Sequence, residues 1–132
     1  AGAVIRATVA DHDSVHALTR LKITGGALTV SRIDLPVGAN LRVRLRARDV
    51  ILALHRPEDI STLNVLCGTV TELRPAMASQ TDVLVDVGSR LWARVTRRSV
   101  AELGLEPGRE VYALVKSVAL DHYSGGFADD LP

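Results

Sequence analysis

The sequence predicts an all-β fold of two small five-stranded antiparallel barrels, side by side, with one short helix in the second. Three observations predict it. Short runs of β-branched and aliphatic residues alternate with polar ones and are bounded by Gly, Pro, Asn and Asp clusters. Only one stretch, residues 97–103, reads as a helix. The chain also repeats itself: Leu35-Pro36-Val37-Gly38-Ala39-Asn40-Leu41 corresponds to Leu105-Glu106-Pro107-Gly108-Arg109-Glu110-Val111, and the match runs on at constant offset to Ala47 and Ser117.

In the first half, residues 3–10 read as a strand, and Asp11-His12-Asp13-Ser14 is turn chemistry. Residues 15–23 form a second strand, Thr24-Gly25-Gly26 a hairpin turn, and residues 27–33 a third strand. After the Leu35-Pro36-Val37-Gly38 turn, Leu41, Val43 and Leu45 alternate strictly with Arg42, Arg44 and Arg46. Residues 49–54 are a more continuously apolar fifth strand, which Pro57 stops.

In the second half, residues 61–66 are a turn leading into strand 68–73, and residues 74–80 are a loop. Strands 81–87 and 91–96 flank the Gly88-Ser89 hairpin, which matches that at Gly25-Gly26. Ser99 is the expected helix cap and Gly104 the helix end. Residues 111–120 read as the closing strand, with Val111, Ala113 and Val115 on one face and Tyr112, Leu114 and Lys116 on the other. The division is therefore 1–59, 60–122 and a Gly- and Asp-rich flexible tail at 123–132. Two duplicated five-stranded barrels of this size are of the OB type.

Composition narrows the function. The hydrophobic fraction is 47% but aromatics are only 3%, so the core is aliphatic, and Cys67 reads as a small hydrophobe within it. A net charge of +1 and so few stacking rings argue against nucleic acid, and the arginines at 42, 44 and 46 read as a solvated face. No apolar run is long enough for a transmembrane helix, and no signal-peptide pattern is present. The absence of an initiator methionine suggests a piece of a longer chain, and a reducing cytoplasm is the simplest compartment.

No catalytic set stands out. His12, His16, His55 and His122 lack ligand spacing, and there is no Gly-x-x-x-x-Gly-Lys-Ser/Thr for nucleotide phosphates. What remains is a set of donors at strand ends and turns: Ser61, Asn64, Thr96, Lys116 and Ser117. Hydroxyls, an amide and an ammonium suit a tetrahedral oxyanion, which needs donors rather than acceptors. Lys116 is one of two lysines and sits in an apolar run, where an ammonium needs a partner, solvent or an anion. Trp92, Tyr112 and Leu114 fall opposite the inward sets, so a homodimer interface is expected there.

Ser61-Thr62-Leu63-Asn64-Val65-Leu66-x-Gly68, Ala93-Arg94-Val95-Thr96-x-x-Ser99 and Pro107-Gly108-x-x-Val111-Tyr112-Ala113-Leu114-Val115-Lys116-Ser117 resemble the motifs of the molybdate-binding MOP/TOBE domain. Arg46-Ala47-Arg48-Asp49-Val50-Ile51-Leu52-Ala53-Leu54 resembles the run before that domain in molybdate ABC-importer ATPases. The resemblance implies binding of molybdate or tungstate where barrels of two subunits meet. Ser61, Thr96, Lys116 and Ser117 fall on ligand positions, with Asn64 beside them. Leu63 stands where relatives carry an arginine, which removes a charged, potentially bidentate donor.

What the resemblance implies is an accessory regulatory domain without enzymatic activity of its own. It would dimerise, sense intracellular oxyanion, and act through an N-terminal ATP-binding domain of the same chain on membrane subunits, at the inner face of the membrane. The alternative is a ligand-free TOBE module that dimerises or receives a protein signal, which Leu63 favours.

Overall fold

Alternation places the core. In strand Asn40–Arg46, Leu41, Val43 and Leu45 are buried and the arginines between them face outward. The same rule holds in strand Arg90–Thr96, where Leu91 and Ala93 are buried. The core is aliphatic, with Leu21, Leu28, Leu41, Leu45 and Leu91 its largest fully buried side chains.

A computed structural model describes residues 2–120. The elements are β1 (Gly2–Asp13), β2 (Leu18–Ile23), β3 (Gly26–Ser31), β4 (Asn40–Arg46), β5 (Val50–Ala53), β6 (Val65–Pro75), β7 (Gln80–Asp86), β8 (Arg90–Thr96), α1 (Arg97–Leu103), β9 (Glu110–Val115) and β10 (Ala119–Leu120). They form two five-stranded antiparallel sheets, ordered β10-β4-β1-β2-β3 and β5-β9-β6-β7-β8.

The duplication is visible in the hydrogen bonds. In the first half the Val9 N–H donates to the Ala39 carbonyl at 2.9 Å and the Gly38 N–H to the Val9 carbonyl at 2.8 Å. In the second, Val70 donates to Arg109 at 2.9 Å and Gly108 to Val70 at 2.8 Å. Both occur beside a register shift, between Val9 and Asp11 and between Val70 and Glu72. Each is a β-bulge that bends the long strand at the same place in both copies.

The two sheets do not follow the halves strand for strand. β5 pairs with β9 in the second sheet, and β10 pairs with β4 in the first. The expected strand over residues 111–120 is therefore two strands in two sheets, broken at residues 116–118. The apolar run hides the break because both its ends are strand-like and Val118 still packs on the core. The first crossing runs through a 3-10 turn at Ala47–Asp49, and the Lys116 N–H donates to the Asp49 carbonyl at 2.9 Å, tying the two crossings together.

Several boundaries differ from the sequence expectation. β1 continues through His12, whose ring nitrogens bond the Thr19 hydroxyl and the Leu35 carbonyl, so the turn begins after Asp13. Thr96, not Ser99, caps α1, accepting from the Ser99 N–H, and Gly104 ends the helix at φ 62°. Cys67 is exposed: on β6 the inward positions are those of Leu66 and Val70. The tail at 123–132 and His122 lie outside the described residues.

The two hairpin tips meet back to back. Gly25 and Gly88 have φ of 94° and 102°, and the Ser89 hydroxyl donates to the Thr24 carbonyl at 2.8 Å. A Cβ on Gly25 would lie 2.0 Å from the Val87 carbonyl oxygen. Gly38 also has a positive φ, 92°, but nothing within 4 Å of such a Cβ. Gly25→Ala is therefore expected to cost about 3 kcal/mol or more. Gly38→Ala is expected to cost only the left-handed penalty of about 1–2 kcal/mol. Urea unfolding of the two variants checks the difference; equal losses would show that the glycine contact does not hold the hairpins together.

Candidate functional site

Four of the five expected donor residues lie on one cleft of about 410 Å³. Ser61, Asn64, Lys116 and Ser117 line it, with Leu63 at its rim. The second wall comes from the first half, through Leu18 on β2 and Thr29, Val30 and Ser31 on β3. No carboxylate lines the cleft. Sequence reasoning missed Thr29 and Ser31, which look like ordinary strand residues; only the pairing of the two halves makes them neighbours of Lys116.

Each donor has a distinct status. Lys116 is exposed, follows the last residue of β9, and makes no ion pair with any described residue. The hydroxyls of Ser61 and Ser117 make no hydrogen bond among the described residues. Asn64 is different: it is 7% exposed, and its side chain is spent on the backbone of β3. Its Oδ1 accepts from the Thr29 N–H at 2.7 Å and its Nδ2 donates to the Thr29 carbonyl at 3.0 Å. Its carbonyl accepts from the Val115 N–H at 2.8 Å. Asn64 thus imitates one residue of a neighbouring strand and clips the cleft's two walls together.

Thr96 does not line the cleft. Its hydroxyl donates to the Ser99 hydroxyl at 2.9 Å and accepts from the Ser99 N–H at 3.0 Å at the start of α1. Arg46 and Ala47 occupy the first half's counterpart of Lys116 and Ser117, at the other crossing.

The expected interface residues share the outer face of the second sheet. Trp92 and Tyr112 are half-buried, and each ring carries a cation: Arg74 lies 5.0 Å from the Trp92 centroid and Arg56 4.9 Å from that of Tyr112. Leu114 is buried within the chain. Beside it in register stands Ile51, 56% exposed, and Leu63 at the cleft rim is 65% exposed. The sequence did not single out Ile51 because it lies on a strand of the first half that pairs across to the second. On the same face Arg94 donates to Asp82 at 2.9 and 3.2 Å. These bonds hold the Asp82 carboxyl below its ordinary value of 3.8, against the opposing effect of burial. Among the described residues no group of His, Cys, Asp and Glu could hold a metal ion, and no helix is long and apolar enough to cross a membrane.

Residues 60–121 match the family model of the TOBE domain. The second half of the chain is similar to a TOBE domain. The chain is 51% identical over 118 residues, 89% of its length, to the molybdenum import ATP-binding protein ModC of Aromatoleum aromaticum, covering 31% of that protein. It is 48% identical over 123 residues to ModC 1 of Azotobacter vinelandii, covering 91% of this chain and 34% of that one. The chain thus spans about a third of the length of these relatives. Its fold is similar to that of the cytoplasmic molybdate-binding protein ModG, solved with molybdate bound, at a TM-score of 0.74 and 25% identity, over 90% of this chain and 96% of that one.

Two outcomes are expected. Asn64→Ala leaves the edge of β3 at Thr29 without its clip and costs about 1–3 kcal/mol in urea unfolding, whereas a change within error would show the clip to be dispensable. Asp82→Asn costs about 1 kcal/mol at neutral pH, where the carboxylate is charged. Because the folded pKa of Asp82 lies below 3.8, the carboxylate's contribution is complete above that value and fades as the pH falls through the folded pKa. Stability curves of the two proteins should converge in acid; a gap that persists there would mean that the ion pair is not its source.

Proposed function

We propose that the chain is a regulatory domain of a molybdate or tungstate ABC-importer ATPase, and that it dimerises and binds intracellular molybdate-type oxyanion to control transport. The observation that carries this reading is the carboxylate-free cleft lined by Ser61, Lys116 and Ser117. It fits the names of the relatives, the molybdenum import ATP-binding proteins and the molybdate-binding ModG. A tetrahedral dianion takes only acceptor roles, so hydroxyls and an ammonium without internal partners are suitable ligands. Lys116 supplies one positive charge and the hydroxyls of Ser61 and Ser117 supply directed donors. Asn64 is a positioning residue, since its side chain is committed to Thr29.

Thr96 does not line this cleft, and in this reading it would reach the oxyanion from a second copy of the chain. That makes the site a product of the dimer, so occupancy favours one dimer arrangement over another. Control of transport requires that the anion bind the two arrangements with different affinity. ATP hydrolysis belongs to the remaining part of the relatives' chains, and the domain works at the inner face of the membrane beside the transporter subunits. Leu63 supports a second reading, a ligand-free TOBE dimerisation module, because an exposed leucine at the rim gives an anion no donor.

Calorimetric titration of molybdate against an excess of sulfate separates the two. Saturation near one anion per chain, weakened about tenfold or more in Lys116→Ala, is expected from the loss of a charge-assisted hydrogen bond. Leu63→Arg is expected to tighten binding by about tenfold, by returning a bidentate donor to the rim. No heat at millimolar molybdate in folded, dimeric protein would leave the ligand-free module.

A further inference from the structure

A second cleft belongs to neither the oxyanion site nor the expected interface. It lies on the first half, over β1, β2 and β4, with a volume of about 570 Å³. Thr8 stands at its centre, with Lys22 directly opposite on β2 and Asn40 directly opposite on β4. Arg6 is one pleat away on β1. The Thr8 hydroxyl donates to the Asn40 Oδ1 at 2.9 Å, which leaves the Asn40 amide nitrogen to donate. Arg6 and Lys22 make no ion pair with any described residue, and no carboxylate lines the cleft.

The second half serves as an internal control. Matching registers put Cys67 where the first half has Arg6, Asp86 where it has Lys22, and Glu110 where it has Asn40; only Thr69 repeats Thr8. The sheet therefore needs neither cation at these positions, and the duplicate carries the opposite charge. Like charges on one sheet face repel, so placing Arg6 and Lys22 around a shared cleft costs stability unless an anion offsets it.

We propose that this cleft binds a small soluble polyphosphate or phosphate ester, at a site separate from Lys116. Arg6 and Lys22 lie on diagonal positions of adjacent strands, roughly 7–8 Å apart at the backbone. A chain of two phosphoryl groups spans that gap better than one tetrahedral ion does. The cleft's volume leaves room for more than one phosphoryl group. Arg6 takes one phosphoryl group through its planar fork, Lys22 the other as a point charge, and the Asn40 amide donates between them. No aromatic ring lines the cleft, so recognition rests on the phosphoryl groups and not on a stacked base.

Inorganic pyrophosphate titrated into the chain by calorimetry at low ionic strength is the test. Saturation near one per chain is expected, weakened about tenfold or more in Arg6→Ala. Asn40→Asp keeps the acceptor for Thr8 and the side chain's shape while adding the charge its counterpart carries, and is expected to weaken binding as much. Lys116→Ala is expected to change nothing. Absence of saturable heat in folded protein overturns the proposal, as does undiminished binding in Asn40→Asp. Loss of binding in Lys116→Ala with retention in Arg6→Ala also overturns it, by assigning the anion to the other cleft.

Discussion

Each half of this chain closes its sheet with a strand taken from the other. β5 leaves the first half to pair with β9, β10 leaves the second to pair with β4, and the Lys116 N–H to Asp49 carbonyl bond fastens the crossings where they pass. The reciprocity has an energetic consequence. A half deprived of its borrowed strand would expose the backbone edge of β4 or β9 and part of its apolar inner face. The two duplicated units are thus joined by more than a linker, and one continuous apolar cluster runs through both. The cleft containing Lys116 exists because of this arrangement: one wall is the loop before β6 and the crossing after β9, and the other is β3 of the first half.

The alternation that makes the strands was legible because each sheet has an inner and an outer side, and Leu41, Val43 and Leu45 can satisfy only one register. The duplication was legible because the bulge and the glycine turn it engages recur at fixed spacing, at Val9 with Gly38 and at Val70 with Gly108. The strand exchange was not. The offset that relates the halves is the same whether β5 pairs within its own half or across, so no local pattern distinguishes them. For the same reason the break at Lys116 was read as the middle of a strand. Cys67 was misjudged because it was read by residue type; β6 already runs from Val65, and Leu66 and Val70 take its inward positions.

The candidate site divides along similar lines. Ser61, Asn64, Lys116 and Ser117 could be grouped by motif, and they do share a cleft. The role of Asn64 could not be read, because its partner Thr29 is 35 residues away on the other half. Thr96 belongs to the same motif but lies outside the cleft, its hydroxyl bonded locally to Ser99. Motif spacing groups residues without specifying which half of the chain each one packs against.

Duplication also explains how one backbone came to carry two surfaces. The inner positions of both sheets are held to aliphatic residues by packing, and the bulges and hairpin glycines are held by backbone geometry. Outer positions are under neither constraint. There the halves have parted: Arg6 against Cys67, Lys22 against Asp86, Asn40 against Glu110, Arg46 against Lys116. The crossings kept their charge, since a basic residue stands at both Arg46 and Lys116, each just beyond or at the end of its strand. A charge at that point stands outside the core. An anion held at Lys116 would act on the one connection through which each half borrows from the other. Among the described residues β10 is the shortest part of that exchange, paired through Ala119 and Leu120. It is the strand whose docking joins the second half to the first.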